Sequence, residues 1–321
     1  MSSRIPDIKA IQRLLVAAFP TRRVATTELL SGGFINTNLK VTFDTSEAPV
    51  VLRLYKGDRS VCQKEIEVLR LVHPLVPVPE VLYAEPNGID GSGPFSVLEF
   101  VEGYKFQELK RTKNSVAIRE AAASVGETLA TIGKYTFEKP GRLTATANEL
   151  RVGDPYVEGE NPIPRILDQF LESSSLQSRL NSSLMARLHE FVWHWAPDLP
   201  SLEQRQLVHS DFGNRNILLR QDNERCKVAG VLDWEFAFSG SPLLDVGHFL
   251  RYEREEEPIR EPWFSRAFVE HGGWLVDDWG RIVRVIDLTG LVDCLTHDYL
   301  PNDVVQEIVG LIQATLNECQ P

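Results

Sequence analysis

The sequence predicts an α+β fold with two lobes. A strand-rich N-terminal lobe covers residues 1–102, and a larger, mainly helical C-terminal lobe covers residues 103–321. In the first hundred residues, short runs of β-branched and apolar side chains alternate with Gly and Pro turns, which is typical of strands. After Gly103, apolar residues recur mostly with the period of amphipathic helices. The length of 321 residues suits two domains or one bilobal unit.

The N-terminal lobe is predicted to hold a five-stranded antiparallel sheet with helices. A helix over 8–19 comes first, and a second over 64–72 carries Ile66, Leu69 and Val72 at helical spacing before His73-Pro74 ends it. The strands are predicted over 24–30, 38–43, 50–55, 81–84 and 96–101.

The C-terminal lobe is predicted to be helical with one exception. Two short apolar runs, 217–220 and 227–232, are joined by a polar segment and predict a β-hairpin. Helical periodicity covers 115–135, 163–180, 182–195, 263–271 and 302–317.

Composition excludes several classes of protein. The chain is 43% hydrophobic and 25% charged, which excludes a disordered or fibrous protein. No run approaches the roughly 18 apolar residues of a membrane span, and the apolar patch before Arg22 is too short and too late for a secretory signal. The four cysteines are scattered, so we expect neither a zinc site nor disulfides, and a cytoplasmic location.

The charge balance limits the binding partners that we expect. The net charge is −11, and since the first 100 residues are balanced, the excess of acidic residues lies in 101–321. An acidic surface repels phosphates, so we expect no nucleic-acid partner, and we expect no membrane partner either. The same surface would attract a cationic small molecule, or would simply aid solubility. We expect a monomer or a homodimer.

The residues with the clearest chemical pattern surround the predicted hairpin. His209-x-Asp211 is followed by Asn216 before the hairpin, and Asp233-Trp-Glu235 comes after it. Phosphoryl transfer from a nucleotide needs a carboxylate to accept the proton of the attacking hydroxyl and oxygen ligands to hold magnesium. Asp211 fits the first role. Asn216 and Asp233 fit the second, because the hairpin returns the chain so that both can face one ion.

This pattern resembles the aminoglycoside phosphotransferase and choline kinase superfamily, whose members are relatives of the protein kinases. Residues 237–245 resemble the family's next motif, in which an aspartate, here Asp245, braces the catalytic loop. Residues 31–36 resemble its nucleotide loop, 51–54 its third strand, 77–79 the loop before its fourth strand and 98–103 its hinge. The resemblance implies a protein-kinase-like bilobal fold and an ATP- or GTP-dependent phosphotransferase that uses Mg²⁺ and a small-molecule hydroxyl acceptor.

The resemblance also implies roles for particular residues. Asp211 would be the base, with Arg215 nearby in the catalytic loop, and His209 would orient that loop by hydrogen bonds. The metal ligands would be Asn216, Asp233 and Glu235. The nucleotide-binding residues would be Gly32, Gly33, Asn36, Arg53, Glu65, Glu99, Phe100 and Val101.

Several features favour a small-molecule kinase over a protein kinase. Arg53 stands where protein kinases have a lysine, and Gly213 stands where their catalytic loop has another. No activation-loop segment ending in Ala-Pro-Glu is present. The alternatives are a nucleotide-binding module with little or no catalysis and, least favoured, a metal-dependent hydrolase.

The acceptor stays open between an aminoglycoside, choline or another amino alcohol, and a sugar. Carboxylates attract amines and aromatic rings stack on cations, so the helical lobe offers candidate contacts. An ordinary charged surface segment is the simpler interpretation of the glutamates. The candidates are Glu253, Glu255, Glu256, Glu257, Tyr252, Trp263 and Trp274.

Overall fold

A computed structural model describes residues 6–30, 35–146, 149–158, 161–199, 204–222, 225–253 and 257–319. In the first half of the chain the elements are α1 (Ile8–Val16), β1 (Val24–Leu29), β2 (Thr37–Phe43), β3 (Val50–Leu54), α2 (Arg59–Val72), β4 (Val81–Glu85), β5 (Phe95–Glu99), β6 (Tyr104–Lys105), α3 (Phe106–Thr112), α4 (Ser115–Ile132), β7 (Gly141–Thr146) and β8 (Glu149–Val152). They are followed by α5 (Pro162–Leu171), α6 (Ser174–Arg179), α7 (Ser182–Trp195), a 3-10 helix (Ala196–Asp198), β9 (Gln206–Val208), β10 (Ile217–Asp222), β11 (Arg225–Val231), β12 (Phe238–Gly240), α8 (Leu243–Leu250), α9 (Trp263–Glu270), α10 (Trp279–Leu295) and α11 (Asn302–Glu318).

The chain folds into two compact units. The first unit comprises Met1–Thr112, Leu143–Arg151 and Asn214–Glu235. The second unit comprises Lys113–Arg142, Val152–Gly213 and Phe236–Pro321. Among the described residues, no helix combines the length and hydropathy that crossing a lipid bilayer requires.

The first unit is built on the predicted antiparallel sheet. In the described residues, five strands pair in the order β1-β2-β3-β5-β4. Ile11 and Leu15 of α1 pack on the sheet against buried residues such as Leu39 and Leu52. Because side chains alternate between the two faces of a strand, Arg53 points to the face opposite Leu52. The sequence-based fold class is confirmed.

The second unit is mainly helical, and aromatic rings fill part of its core. Phe249 of α8 packs on Phe264 of α9 with ring centroids 4.8 Å apart. Helix α4 lies against α9 at Gly126, where an added Cβ would lie 2.3 Å from the carbonyl oxygen of Phe264. Only glycine allows this close approach.

Short strands of the second unit bring two loops together. Strand β12 pairs antiparallel with β9, with Phe238 opposite Val208. Strand β9 leads directly into His209, and β12 leads into α8. The pairing therefore places the start of α8 beside the 209–213 segment.

The sequence missed several elements. Helices α3, α8 and α10 were not predicted, nor were strands β6, β7, β8, β9 and β12. Helix α10 is buried around most of its circumference, so its apolar residues form no stripe and the helical period is hidden. The missed strands are too short to show an alternating pattern. The predicted helix over 163–180 is divided into α5 and α6.

Candidate active site

Arg53 is the centre of a buried cluster of charged residues in the first unit. Its Nε donates to Oε2 of Glu65 at 2.8 Å, and its Nη2 donates to Oδ1 of Asp233 at 2.5 Å. Oε1 of Glu235 lies 3.6 Å from the same Nη2. Only 5% of the Arg53 side chain is exposed. One buried cation thus contacts three carboxylates.

The cluster carries more negative than positive charge when its members are ionised. Burial alone would lower the pKa of Arg53, but the charges of Glu65 and Asp233 raise it well above its usual value. Burial raises the pKa of Glu65, although Arg53 opposes this shift. Burial, and then the charge of Asp233, raise the pKa of Glu235 to about 7. The cluster therefore favours an additional cation or proton.

The predicted hairpin brings Asn216 and Asp233 to one end of two paired strands. Strand β10 pairs with β11, with Ile217 opposite Val231, and the backbone N–H of Leu232 donates to the carbonyl of Asn216 at 2.8 Å. Asp233 follows directly, with a φ of 68°. This left-handed conformation is uncommon for a residue other than glycine and is found mostly where the surrounding structure holds it in place. The hairpin prediction is confirmed, with strands that extend into the predicted connecting segment.

Asn36 joins the start of β2 to the cluster. Its Nδ2 donates to Oε2 of Glu235 at 3.0 Å, and its Oδ1 accepts from the backbone N–H of Lys56 at 3.1 Å. The side chain is buried. Both ends of the amide are therefore used in positioning Glu235 and the end of β3.

In the second unit, Asp245 braces the segment that carries Asp211. Oδ2 of Asp245 accepts from the backbone N–H of His209 at 2.7 Å, and Oδ1 accepts from that of Ser210 at 2.8 Å. These are the hydrogen bonds that the sequence predicted. Ser210 has a φ of 72°, so the bracing supports an uncommon backbone conformation. Burial raises the pKa of Asp245 to about 7, against the effect of these two backbone donors.

His209 is completely buried in the second unit. Its Nδ1 accepts from the backbone N–H of Asp211 at 3.2 Å, and its ring packs edge-on against Phe212. These contacts tie the imidazole to the backbone of the loop.

One side chain near Asp211 was missed by the sequence reasoning. Nε2 of His248 lies 3.3 Å from Oδ1 of Asp211, whose side chain is 40% exposed. His248 stands three residues after Asp245 on α8, and residues at this spacing share a helix face. That spacing is the signal that could have revealed it.

These observations agree with a match to a known family. The model of the phosphotransferase enzyme family matches residues 26–282, which is most of the chain. The chain belongs to the phosphotransferase enzyme family. The match confirms the resemblance that the motifs around the hairpin indicated.

Curated proteins similar to this chain include an acyl-CoA dehydrogenase family member and a hygromycin kinase. The acyl-CoA dehydrogenase family member 11 of Pongo abelii is 28% identical over 175 residues, which are 54% of this chain and 20% of that protein. The hygromycin-B 4-O-kinase of Escherichia coli is 25% identical over 182 residues, covering 54% of this chain and 47% of the kinase. The chain thus matches about a fifth of the length of the first relative and about half of the second.

Solved structures of aminoglycoside phosphotransferases share the fold. A thermostable mutant of aminoglycoside phosphotransferase APH(4)-Ia, in a ternary complex with ADP and hygromycin B, superposes with a TM-score of 0.71 at 22% identity. That match covers 96% of this chain and 98% of the other. A mutant of aminoglycoside 2'-phosphotransferase-IIIa in complex with GDP superposes with a TM-score of 0.70 at 18% identity. That match covers 96% of this chain and 97% of the other.

The remaining nucleotide-site predictions fall into two groups. Gly32 and Gly33 lie outside the described residues. At the end of β5, Oε2 of Glu99 accepts from the backbone N–H of Glu80, and the Lys40 ammonium lies 4.0 Å from the centroid of the Phe100 ring. A side chain at Gly230 would lie 3.3 Å from Val101, so Val101 lies beside the hairpin.

The residues predicted to contact the acceptor have different surroundings in the structure. Glu253 accepts from the backbone N–H and Nε of Arg260, which favours its interpretation as a structural carboxylate. The Tyr252 hydroxyl donates to Glu307, and the Trp274 side chain is exposed. Glu255 and Glu256 lie outside the described residues.

Arg215, which was predicted near the base in the catalytic loop, is exposed.

Proposed function

We propose that the chain transfers the γ-phosphate of ATP or GTP to a hydroxyl group of a small molecule. Residues 1–102 would bind the nucleotide, and residues 103–321 would supply the base and the acceptor site. Membership of the phosphotransferase enzyme family supports the reaction class. The observation that carries the proposal is the buried Arg53 cluster, because it joins a phosphate-binding cation to an excess of carboxylates.

The donor set near the cluster fits magnesium. Asp233 and Glu235 offer carboxylate oxygens and Asn216 offers an amide oxygen, all of them hard ligands of the kind that Mg²⁺ prefers. Among the described residues, no group of three or more His, Cys, Asp or Glu side chains is arranged to hold a metal by itself. This agrees with a Mg²⁺ that takes one or two protein carboxylates and completes its shell with nucleotide phosphates and water. When bound, the ion would neutralise phosphate charge.

Arg53 would bind phosphate oxygens of the nucleotide. A guanidinium presents several N–H donors in a plane and matches phosphate well, so it can replace the lysine of the protein kinases. Glu65 would hold Arg53 in place, since its Oε2 accepts from Nε. Phosphate oxygens would share the Nη1 and Nη2 donors with Asn38 and Asp233. Glu99, Phe100 and Val101 would line the base of the nucleotide, and Gly32 and Gly33 remain predicted nucleotide-binding residues.

Asp211 would act as the base of the reaction. The acceptor oxygen forms a bond to the γ-phosphorus while the bond from that phosphorus to the β–γ bridging oxygen breaks. The nucleoside diphosphate leaves with the electron pair, and the hydroxyl proton passes to Asp211. His209 and Asp245 would orient the loop. The Arg215 guanidinium would pair with the negative charge of the transferred phosphate.

The acceptor side of the proposal rests on α10. Burial raises the pKa of Cys294 to about 11. The charge of Arg251 opposes this shift and the charges of Asp293 and Asp211 add to it, which indicates that the end of α10 lies near the base. Asp293 is the adjacent carboxylate, and burial raises its pKa. An ammonium group on the acceptor would neutralise this carboxylate, so we favour a cationic acceptor.

The test is a phosphorylation screen with labelled ATP and GTP in the presence of Mg²⁺. The acceptors are aminoglycosides, choline analogues, amino alcohols, sugars and hydroxyacyl-CoA thioesters, the last because a similar protein is named an acyl-CoA dehydrogenase family member. The expected result is magnesium-dependent labelling of a hydroxyl compound that Asp211→Asn abolishes. Nucleotide binding with no acceptor labelled would favour the non-catalytic module. If neither ATP nor GTP raised the melting temperature in the presence of Mg²⁺, the phosphotransferase and the non-catalytic nucleotide-binding module would both be contradicted.

A further inference from the structure

The imidazole of His248 lies against the side chain that would act as base. Its Nε2 is 3.3 Å from Oδ1 of Asp211, slightly longer than a typical N–H···O hydrogen bond. Only 16% of the His248 side chain is exposed, whereas 40% of the Asp211 side chain is exposed. One carboxylate oxygen thus faces the imidazole while the carboxylate as a whole remains open to solvent.

The surroundings of His248 hold the ring in this place. The ring donates a hydrogen bond to the backbone carbonyl of Ser210, the residue immediately before Asp211. Gly213 leaves room for the ring, since an added Cβ would lie 3.2 Å from Nε2 and 3.3 Å from Cδ2 of His248. The imidazole, which approaches the loop from α8, therefore occupies the space beside Gly213 that a side chain would need.

The charge state of the imidazole follows from the groups around it. Burial first, and then the positive charges of Arg251 and His209, lower the pKa of His248 well below its usual value. The ring is therefore neutral at physiological pH and carries a single N–H. A neutral donor can orient a carboxylate without forming a full ion pair that would compete for its proton.

We propose that His248 is a positioning residue for Asp211, with the proton on Nε2 shared between the Ser210 carbonyl and Oδ1 of Asp211. This inference rests on the proposed function, in which Asp211 accepts the proton of the acceptor hydroxyl. The imidazole orients the carboxylate from the side of Oδ1, and the carboxylate accepts that proton as the new O–P bond forms and the bond from the γ-phosphorus to the β–γ bridging oxygen breaks. His248 itself exchanges no proton with the acceptor.

The first test detects the contact between His248 and Asp211 by NMR and does not depend on catalysis. Long-range ¹H–¹⁵N correlation spectra of the full-length protein at pH 7 report which ring nitrogen of each histidine carries a proton. The expected result is a neutral His248 with the proton on Nε2, and a ring signal that moves in Asp211→Ala. His194 is exposed and serves as the internal control, because its signal should not move. A proton on Nδ1 alone, or a His248 signal indifferent to Asp211→Ala, would overturn the proposal.

The second test separates positioning from stability. His248→Ala should lower kcat by about 10- to 100-fold, the usual cost of a misplaced catalytic group, and leave the KM for the nucleotide unchanged. His248→Gln keeps an N–H donor and should recover a large part of the loss. Melting temperatures are measured for each variant. A kcat for His248→Ala within twofold of the wild type, or no recovery by glutamine at equal stability, would overturn the assignment.

Glycine variants provide a matched pair. Gly213→Ala pushes the imidazole by a few tenths of an ångström and should lower kcat, though less than His248→Ala does. Gly310→Ala adds the same methyl group on α11 where nothing lies within 4 Å, and kcat should not change. Equal rates for the two variants would count against the proposal.

The two tests keep this inference separate from the proposed function. If the wild-type protein labels no acceptor in the screen, the proposed function fails and the spectra alone decide whether His248 donates to Asp211. If an acceptor is labelled but the His248 variants and spectra behave like the controls, only the positioning role fails.

Discussion

The Arg53 cluster of the first unit and the catalytic loop of the second unit both hold carboxylates away from water, but they compensate the charge in different ways. Around Arg53, a guanidinium neutralises part of the charge of Glu65, Asp233 and Glu235. At Asp245, two backbone N–H groups donate to the carboxylate, and no cation in the described part of the chain pairs with it. The first arrangement is suited to exchanging partners with a ligand, whereas the second is suited to holding a backbone in one conformation.

Two of the residues with an uncommon backbone conformation, Asp233 and Ser210, follow the same division. Asp233 has its positive φ beside a side chain ion pair, so its carboxylate is presented to other groups. Ser210 has its positive φ beneath the Asp245 carboxylate, and the constraint falls on the main chain of the loop. We therefore expect substitutions in the first unit to change ligand binding and charge, and those at Asp245 to change the order of the loop.

The largest stability effect is expected from Arg53→Ala. The substitution leaves three carboxylates without their buried cation, and breaking one side of a buried ion pair costs about 3–5 kcal/mol. The measurement is urea unfolding in the absence of nucleotide. Arg70→Ala is the control, because its partner Glu67 is buried but Arg70 itself is 46% exposed, and a loss of at most about 1 kcal/mol is expected there. Equal losses for the two variants would contradict the account of the cluster.

Asp245→Ala should have the next largest effect. The backbone N–H groups of His209 and Ser210 lose their acceptor, at about 1–3 kcal/mol for each group left unsatisfied. Because the loop carrying Asp211 loses its brace, turnover should fall together with the melting temperature. Asp222→Ala removes an exposed carboxylate that pairs with Lys227, and it should leave both nearly unchanged. Lost turnover at an unchanged melting temperature would instead indicate direct chemistry by Asp245.

A smaller effect is expected in the pH dependence of stability. The pKa of Asp245 is raised from 3.8 to about 7 in the folded protein. Between these values the unfolded chain releases a proton that the folded chain retains, so the free energy of unfolding falls as the pH rises. The slope from this group is about 1.4 kcal/mol per pH unit at most. Unfolding from pH 4.5 to 7.5 should show a steeper decline for the wild type than for Asp245→Asn, and parallel curves would refute the shift.

Much of the first unit could be predicted from the sequence because its strands are separate, apolar and bounded by turns. The hairpin of β10 and β11 also followed from a local pattern, and the bracing by Asp245 followed from the resemblance to the family. Helix α10 could not be found in this way, because burial on most sides removes the period that marks an amphipathic helix. Its Cys294 and Asp293 were missed with it.

Part of the site could not be predicted because it depends on tertiary contacts. Nothing local marks Asn36 as a partner of Glu235, which lies far away in the sequence. The approach of His248 to Asp211 likewise requires the pairing of β9 with β12, two strands too short to predict. Acidic residues that looked free in the sequence, such as Glu253, turn out to be engaged by a buried arginine.

The central claim is the division of labour between Asp211 and Asp233, and calorimetry of nucleotide binding at fixed Mg²⁺ tests it most directly. Asp211→Asn should bind the nucleotide nearly as well as the wild type, while turnover falls by about 10²- to 10⁴-fold, the usual contribution of a general base. Asp233→Ala should weaken metal-dependent nucleotide binding and abolish turnover, with Asn216→Ala between the two. If Asp211→Asn lost nucleotide affinity while Asp233→Ala retained it, the proposed roles would be reversed.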